Sequence, residues 1–117
     1  MMIEGSQIDW AAHDNKNDTL VSEVLDFDRT INAMLNFAEL DGETLVIITA
    51  DHETGGYAII DGDIKEGIVK GTFNRDDHTA VMVPVFAYGP GAEAFTGIMD
   101  NTDIFKKIAQ AFKFILN

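Results

Sequence analysis

The chain has 117 residues, with 20 Asp and Glu against 8 Lys and Arg, a formal net charge of −12 at pH 7. With 46% hydrophobic residues it is too apolar for a disordered acidic tail. Its charge argues against nucleic acid and against an anionic membrane surface as partners, because no basic patch offers counterion release. Cys is absent, so any metal must be held by oxygen and imidazole, and the only imidazoles are His13, His52 and His78.

The length fits one small domain or a piece of a larger one. The opening stretch MMIEGSQIDWAAHDN has no basic and apolar regions of the signal-peptide kind. No window approaches the ~18 apolar residues of a membrane span. From Asp18 to Leu40 apolar residues recur at Leu20, Val24, Phe27, Ile31, Met34, Leu35 and Ala38, which predicts a helix capped by Asp18 or Thr19 and stopped at Asp41-Gly42. The β-branched run from Thr44 to Ala50 predicts a strand buried on both faces of a parallel sheet. It breaks into the polar stretch Asp51-His52-Glu53-Thr54-Gly55-Gly56. Tyr57 to Ile60 is a shorter strand candidate, and Asp61 to Asp77, rich in Gly and charge, reads as turns with weak strands. Val81 to Tyr88 reads as a second buried strand, with Pro84 marking an edge or irregular position. Asn101 or Thr102 is expected to cap a last helix with Ile104, Phe105, Ile108, Ala109, Phe112 and Ile115 on one stripe. This order of elements is α/β layering, and two central strands are too few for an independent sheet of that class.

Three groups of residues can carry chemistry. Glu4, Asp9 and His13 form the first; a helical turn over Ile8 to His13 projects Asp9 and His13 from one face, as zinc ligands would be. Asp51-His52 directly follows a buried strand, at the strand end where open α/β sheets bind ligands; the plain alternative is a local turn with a solvated His. His78 lies in the polar Asn74-Arg75-Asp76-Asp77-His78-Thr79, where a lone His is most often a surface residue. Together they describe two neighbouring nitrogen/oxygen metal sites, and two metals ~4 Å apart suit phosphoryl chemistry. Calcium loops are excluded: Asp14 to Leu25 and the stretch opening at Asp61-Gly62-Asp63 both lack the closing Glu.

Met2-Ile3-Glu4-Gly5-Ser6-Gln7-Ile8-Asp9-Trp10-Ala11-Ala12-His13 resembles the metal-binding segment of alkaline phosphatases. So do the stretch from Thr44 through Thr49-Ala50-Asp51-His52-Glu53-Thr54-Gly55-Gly56, then His78-Thr79 with Val83 to Ala92, and the late Asp100-Asn101-Thr102-Asp103-Ile104-Phe105. The motifs keep the family's order over nearly the whole chain. The resemblance implies an α/β chain belonging to a three-layer α/β/α fold with a mostly parallel central sheet. Residues 1–117 would be the C-terminal portion of such a domain, truncated at its N-terminus. It implies Asp9, His13 and His78 as ligands of a first zinc, Asp51 and His52 as ligands of a second, and Glu4 as a magnesium ligand. The substrate implied is a phosphomonoester.

The family's nucleophile has no match here, since Ser6 and Ser22 stand outside its motif. Its phosphate-binding Arg has none either, since Arg29 and Arg75 lie elsewhere. The expectation is therefore a chain that supplies zinc and magnesium ligands and is inactive by itself. The alternative is a small acidic metal-binding domain without catalysis. Family members are usually exported, periplasmic or secreted, and often homodimeric, and both are expectations for the parent protein. An incomplete sheet also predicts exposed apolar surface and self-association.

Overall fold

The computed structural model describes residues 1–114. Ile115, the last residue of the predicted terminal stripe, lies outside them. The chain divides into two compact units: residues 1–32 with 52–82, and residues 33–51 with 83–117.

The first unit opens on α1 (Ser6–His13), which a short turn at residues 14–16 joins to α2 (Asn17–Asp41). Asn15 sits at φ 52°, a left-handed position that Asn tolerates. The Asn15 and Lys16 amides donate back to the Ala12 and Ala11 carbonyls at 3.0 and 2.9 Å. Helix α2 matches the predicted span but begins at Asn17 rather than on an Asp18 or Thr19 cap. The Asn17 side chain works sideways. Its amide nitrogen donates to the Val69 carbonyl at 2.9 Å, and its oxygen accepts from Tyr57 Oη at 2.7 Å and the Gly71 amide at 3.0 Å.

The partners of Asn17 belong to a hairpin of β3 (Ala58–Asp63) and β4 (Ile68–Thr72), antiparallel and shifted in register between Ile59 and Asp61. The Gly-rich segment, expected as turns with weak strands, thus contains a five-residue strand. Beside it, β2 (Glu53–Thr54) pairs antiparallel with β5 (His78–Thr79), Glu53 opposite Thr79 and Thr54 opposite His78. The unit's small core is Ala11, Ala12 and Leu20, packed against Ile8, Tyr57 and Phe73.

The second unit holds β1 (Val46–Ile48), β6 (Phe86–Tyr88), a 3-10 turn at Ala92–Phe95 and α3 (Asn101–Ala111). The Glu43 amide and Thr44 hydroxyl donate to the Asp41 carboxylate at 3.3 and 2.6 Å. This is the local turn chemistry that ends a helix and starts a strand. β1 pairs antiparallel with β6, Val46 opposite Tyr88 and Ile48 opposite Phe86.

All three sheets among the described residues are two-stranded and antiparallel. The run from Thr44 to Ala50 yields a three-residue strand, half-buried rather than buried on both faces. Val81 to Tyr88 yields a strand only from Phe86, with the segment around Pro84 irregular, in keeping with proline's missing donor. A continuous apolar run states that a strand seeks burial; it does not state the direction of its partner. Helix α3 starts after Asp100 with no side-chain cap bond. Of its stripe Ala109 is buried, while Phe105 is exposed.

Candidate metal centre

Helix α1 places Asp9 and His13 on one face, one turn apart. The β2–β5 pair brings His78 opposite Thr54. The result is a triangle of ligand-type atoms: His13 Nε2 to His78 Nε2 is 3.1 Å, His13 Nε2 to Asp9 Oδ1 is 3.5 Å, and His78 Nε2 to Asp9 Oδ1 is 3.8 Å. An ion held tetrahedrally ~2.1 Å from nitrogen and oxygen ligands spaces them ~3.4 Å apart. The three atoms fit that requirement without movement. Their side chains keep 35%, 37% and 45% exposure for His13, Asp9 and His78, so the cluster is open to water on one side.

His52 joins from the strand break. Its ring stacks on His78 with centroids 3.5 Å apart and planes at 18°. Asp9, His52 and His78 can each offer a ligand atom within 4.8 Å of the others, and so can His13, Asp77 and His78. The two groups share His78, so the centre is a chain of imidazoles and carboxylates. Glu4 and Asp51 stand in neither group. Glu4 is exposed ahead of α1, in a shallow depression with Glu23, Asp26 and Thr30 of α2. Asp51 is exposed and closes a segment of the second unit, one residue before His52.

The ring orientations are held from behind. His13 Nδ1 donates to the Asp76 carbonyl at 2.6 Å, so its Nε2 is the unprotonated nitrogen and points at the cluster. The Asp76 carbonyl raises the His13 pKa above its ordinary value; desolvation opposes this, and the carboxylates of Asp9, Asp77 and Asp76 add to it. The His78 amide donates to Asp77 Oδ1 at 2.7 Å. That bond, against a smaller desolvation cost, holds the Asp77 carboxyl below the usual range, with His78, Arg75 and His13 assisting.

The loop carrying Asp76 to His78 hangs on Gly55. The Gly55 amide donates to the Asp77 carbonyl at 3.0 Å, and its carbonyl accepts the Asn74 and Arg75 amides at 3.0 and 3.3 Å. Gly55 has φ +88°, and a Cβ there would lie 2.8 Å from the Phe73 ring. Only glycine meets both demands. Glu53 accepts the Gly56 and Tyr57 amides at 3.2 and 3.1 Å and also the Thr79 hydroxyl. Desolvation pushes the Glu53 carboxyl up, yet these donors and Arg75 together bring it below its ordinary value.

Residue-by-residue reading of the sequence overlooked Thr54, Asp77 and the Gly55 bonds. Asp77-His78 repeats the Asp-His pairing of Asp51-His52, a signal that could have raised Asp77. Nothing in the sequence signals the Asp76 carbonyl.

The described residues thus form an α/β protein with an imidazole and carboxylate cluster suited to a divalent metal. The alkaline phosphatase family profile matches residues 1–70 and 69–114, and the chain belongs to that family. It is 34% identical to alkaline phosphatase 4 of Bacillus subtilis strain 168, covering 88% of this chain and 37% of that protein. It is 30% identical to alkaline phosphatase 3 of the same strain, covering 97% and 40%. The solved alkaline phosphatase of the Antarctic bacterium TAB5 superposes with a TM-score of 0.88 at 47% identity, over 97% of this chain and 34% of that one. The chain therefore spans less than half the length of these relatives. No helix among the described residues is long and apolar enough to cross a membrane.

Proposed function

We propose that this chain supplies the metal-holding part of a phosphomonoester hydrolase of the alkaline phosphatase type. The observation that carries the proposal is the triangle of Asp9 Oδ1, His13 Nε2 and His78 Nε2, with edges of 3.1 to 3.8 Å. Imidazole nitrogen with one carboxylate oxygen is a zinc donor set with room for a water or substrate oxygen. In this reading Asp9, His13 and His78 hold a first zinc, Asp51 and His52 contribute to a second, and Glu4 offers a hard oxygen to magnesium. Bound there, paired metals supply charge stabilisation for the attacking and leaving oxygens of phosphoryl transfer.

What this chain's own residues do is hold and orient. Asp76 keeps the His13 lone pair on the cluster, and Gly55 keeps the loop of His78 in place. Neither Ser6 nor Ser22 stands in a nucleophile motif of the family, and the nucleophile belongs in this reading to a segment that the relatives have beyond their overlap with this chain. The free edge of β1 opposite β6 is, in the same reading, where a mostly parallel sheet of a three-layer α/β/α domain continues.

The test is turnover of an aryl phosphate by the purified 117-residue chain with zinc and magnesium added. The expected result is no chelator-sensitive turnover above background, with restoration when the missing portion of a relative is supplied as a second polypeptide. Robust turnover by the chain alone would contradict the division of labour. Zinc binding without restoration would favour a metal-binding domain without catalysis.

A further inference from the structure

Thr54 is the buried polar residue among the described residues, at 8% exposure, and it sits where α1 and the β2–β5 pair meet. Its hydroxyl lies 2.6 Å from Asp9 Oδ1 and 3.2 Å from His52 Nδ1. A threonine hydroxyl has one proton. The shorter, charge-assisted bond to the carboxylate takes it. The oxygen can then only accept from His52, which requires the proton of that ring to be on Nδ1 and leaves Nε2 as the unprotonated nitrogen.

We propose that Thr54 is a positioning residue that couples Asp9 on the helix to His52 on the strand break, fixing the rotamer of one and the tautomer of the other. The inference rests on the metal-centre reading above and adds a residue to it. Thr54 suits the task physically. Its β-branch leaves few χ1 choices, its backbone is registered against His78, and neighbouring Glu53 and Gly55 are locked to Thr79 and Asp77. The same Asp9 oxygen that accepts from Thr54 is the one nearest His13 and His78. One hydroxyl therefore touches one residue attributed to each zinc ion, Asp9 and His52.

The test has two arms. Nitrogen NMR of the zinc-free chain in alkaline buffer, with imidazoles neutral, reads the His52 tautomer directly. Protonated Nδ1 is expected, and protonated Nε2 overturns the proposal whether or not the chain binds zinc. Zinc affinity by chelator competition is then compared between the wild-type chain, Thr54→Val and Thr54→Ser. Loss of the hydroxyl in the Val variant is expected to weaken zinc binding about 10- to 100-fold and to mix the His52 tautomers, while Ser restores both to about wild-type values. Unchanged affinity and tautomer in a folded Val variant overturns the proposal. Should the Val variant fail to fold, the wild-type tautomer and the Ser variant decide. A wild-type chain that binds no zinc but carries the Nδ1 proton refutes the metal reading and leaves the coupling standing.

Discussion

The two units solve different problems with the same alphabet. The first is held by specific polar bonds between residues far apart in sequence: His13 to Asp76, Asn17 to Val69 and Gly71, Thr54 to Asp9, Gly55 to Asp77. Its buried hydrophobics are only Ala11, Ala12 and Leu20. The second relies on apolar contact, burying Ala38, Phe95 and Ala109, and both units leave large apolar side chains exposed, Trp10 and Ile64 in the first, Leu40 and Ile98 in the second. Most of its side-chain hydrogen bonds are short-range, such as Thr44 to Asp41, Thr96 to Glu93 and Lys106 to Asp103. A directional network fixes ligand geometry with little core. Apolar contact is non-directional and by itself fixes no ligand geometry.

That contrast can be broken or sharpened by substitution. The largest effect belongs to His78→Ala, which removes the residue shared by both candidate ligand groups. Zinc affinity by chelator competition is expected to fall more than about 100-fold, beyond the loss typical of a supporting residue. Gly55→Ala forces a Cβ onto a +88° φ and into Phe73. Denaturant unfolding should show a loss of about 2–3 kcal/mol, and zinc affinity should fall with it. Glu53→Gln keeps the shape but weakens the bonds to Thr79, Gly56 and Tyr57, for an expected loss of about 1–2 kcal/mol.

Acid acts on the same carboxylate with a definite sign. The folded Glu53 pKa lies below its ordinary 4.5. Its stabilisation is complete above that value and is lost as pH falls through the lower folded one. In Glu53→Gln this acid-dependent part of the unfolding curve should vanish. His13 carries the opposite sign. Its raised value stabilises the metal-free fold fully below 6.5, and the contribution is lost as pH rises through the folded pKa. Since metal competes with that proton, zinc affinity should rise over the same window. The smallest effect is reserved for the second unit. Leu40→Ser, at a side chain 90% exposed, should change stability by less than about 0.5 kcal/mol and leave zinc affinity untouched. A large loss there would erase the distinction between the units.

Helices were the most legible part of the sequence. The stripe from Leu20 to Ala38 reports a helical period directly, and α2 ends at Asp41 with the Gly42 amide bonded back to Ala38 at 2.9 Å. Asp9 and His13 were readable because four-residue spacing on a helix implies one face. Strand direction was not readable, because Val46 to Ile48 and Phe86 to Tyr88 are equally apolar whichever way they pair. The hairpin over Ala58 to Thr72 is muted by exposed polar and Gly positions, and its anchor, Asn17, stands one residue ahead of the predicted helix with nothing in the sequence to tie it to Val69 or Gly71. The supporting bonds were the least legible. The Asp76 carbonyl and the Gly55 amide are backbone atoms whose roles exist only once distant segments meet, and Thr54 is distinguished by burial, which its polar neighbours conceal.

The most direct measurement is zinc stoichiometry, by elemental analysis of the chain after zinc loading and exhaustive desalting, beside His13→Ala and His78→Ala. The account predicts about one tightly held zinc per chain, lost in both variants, because Asp9, His13 and His78 already converge. A wild-type chain that retains no zinc, or one whose zinc survives both substitutions, would contradict it.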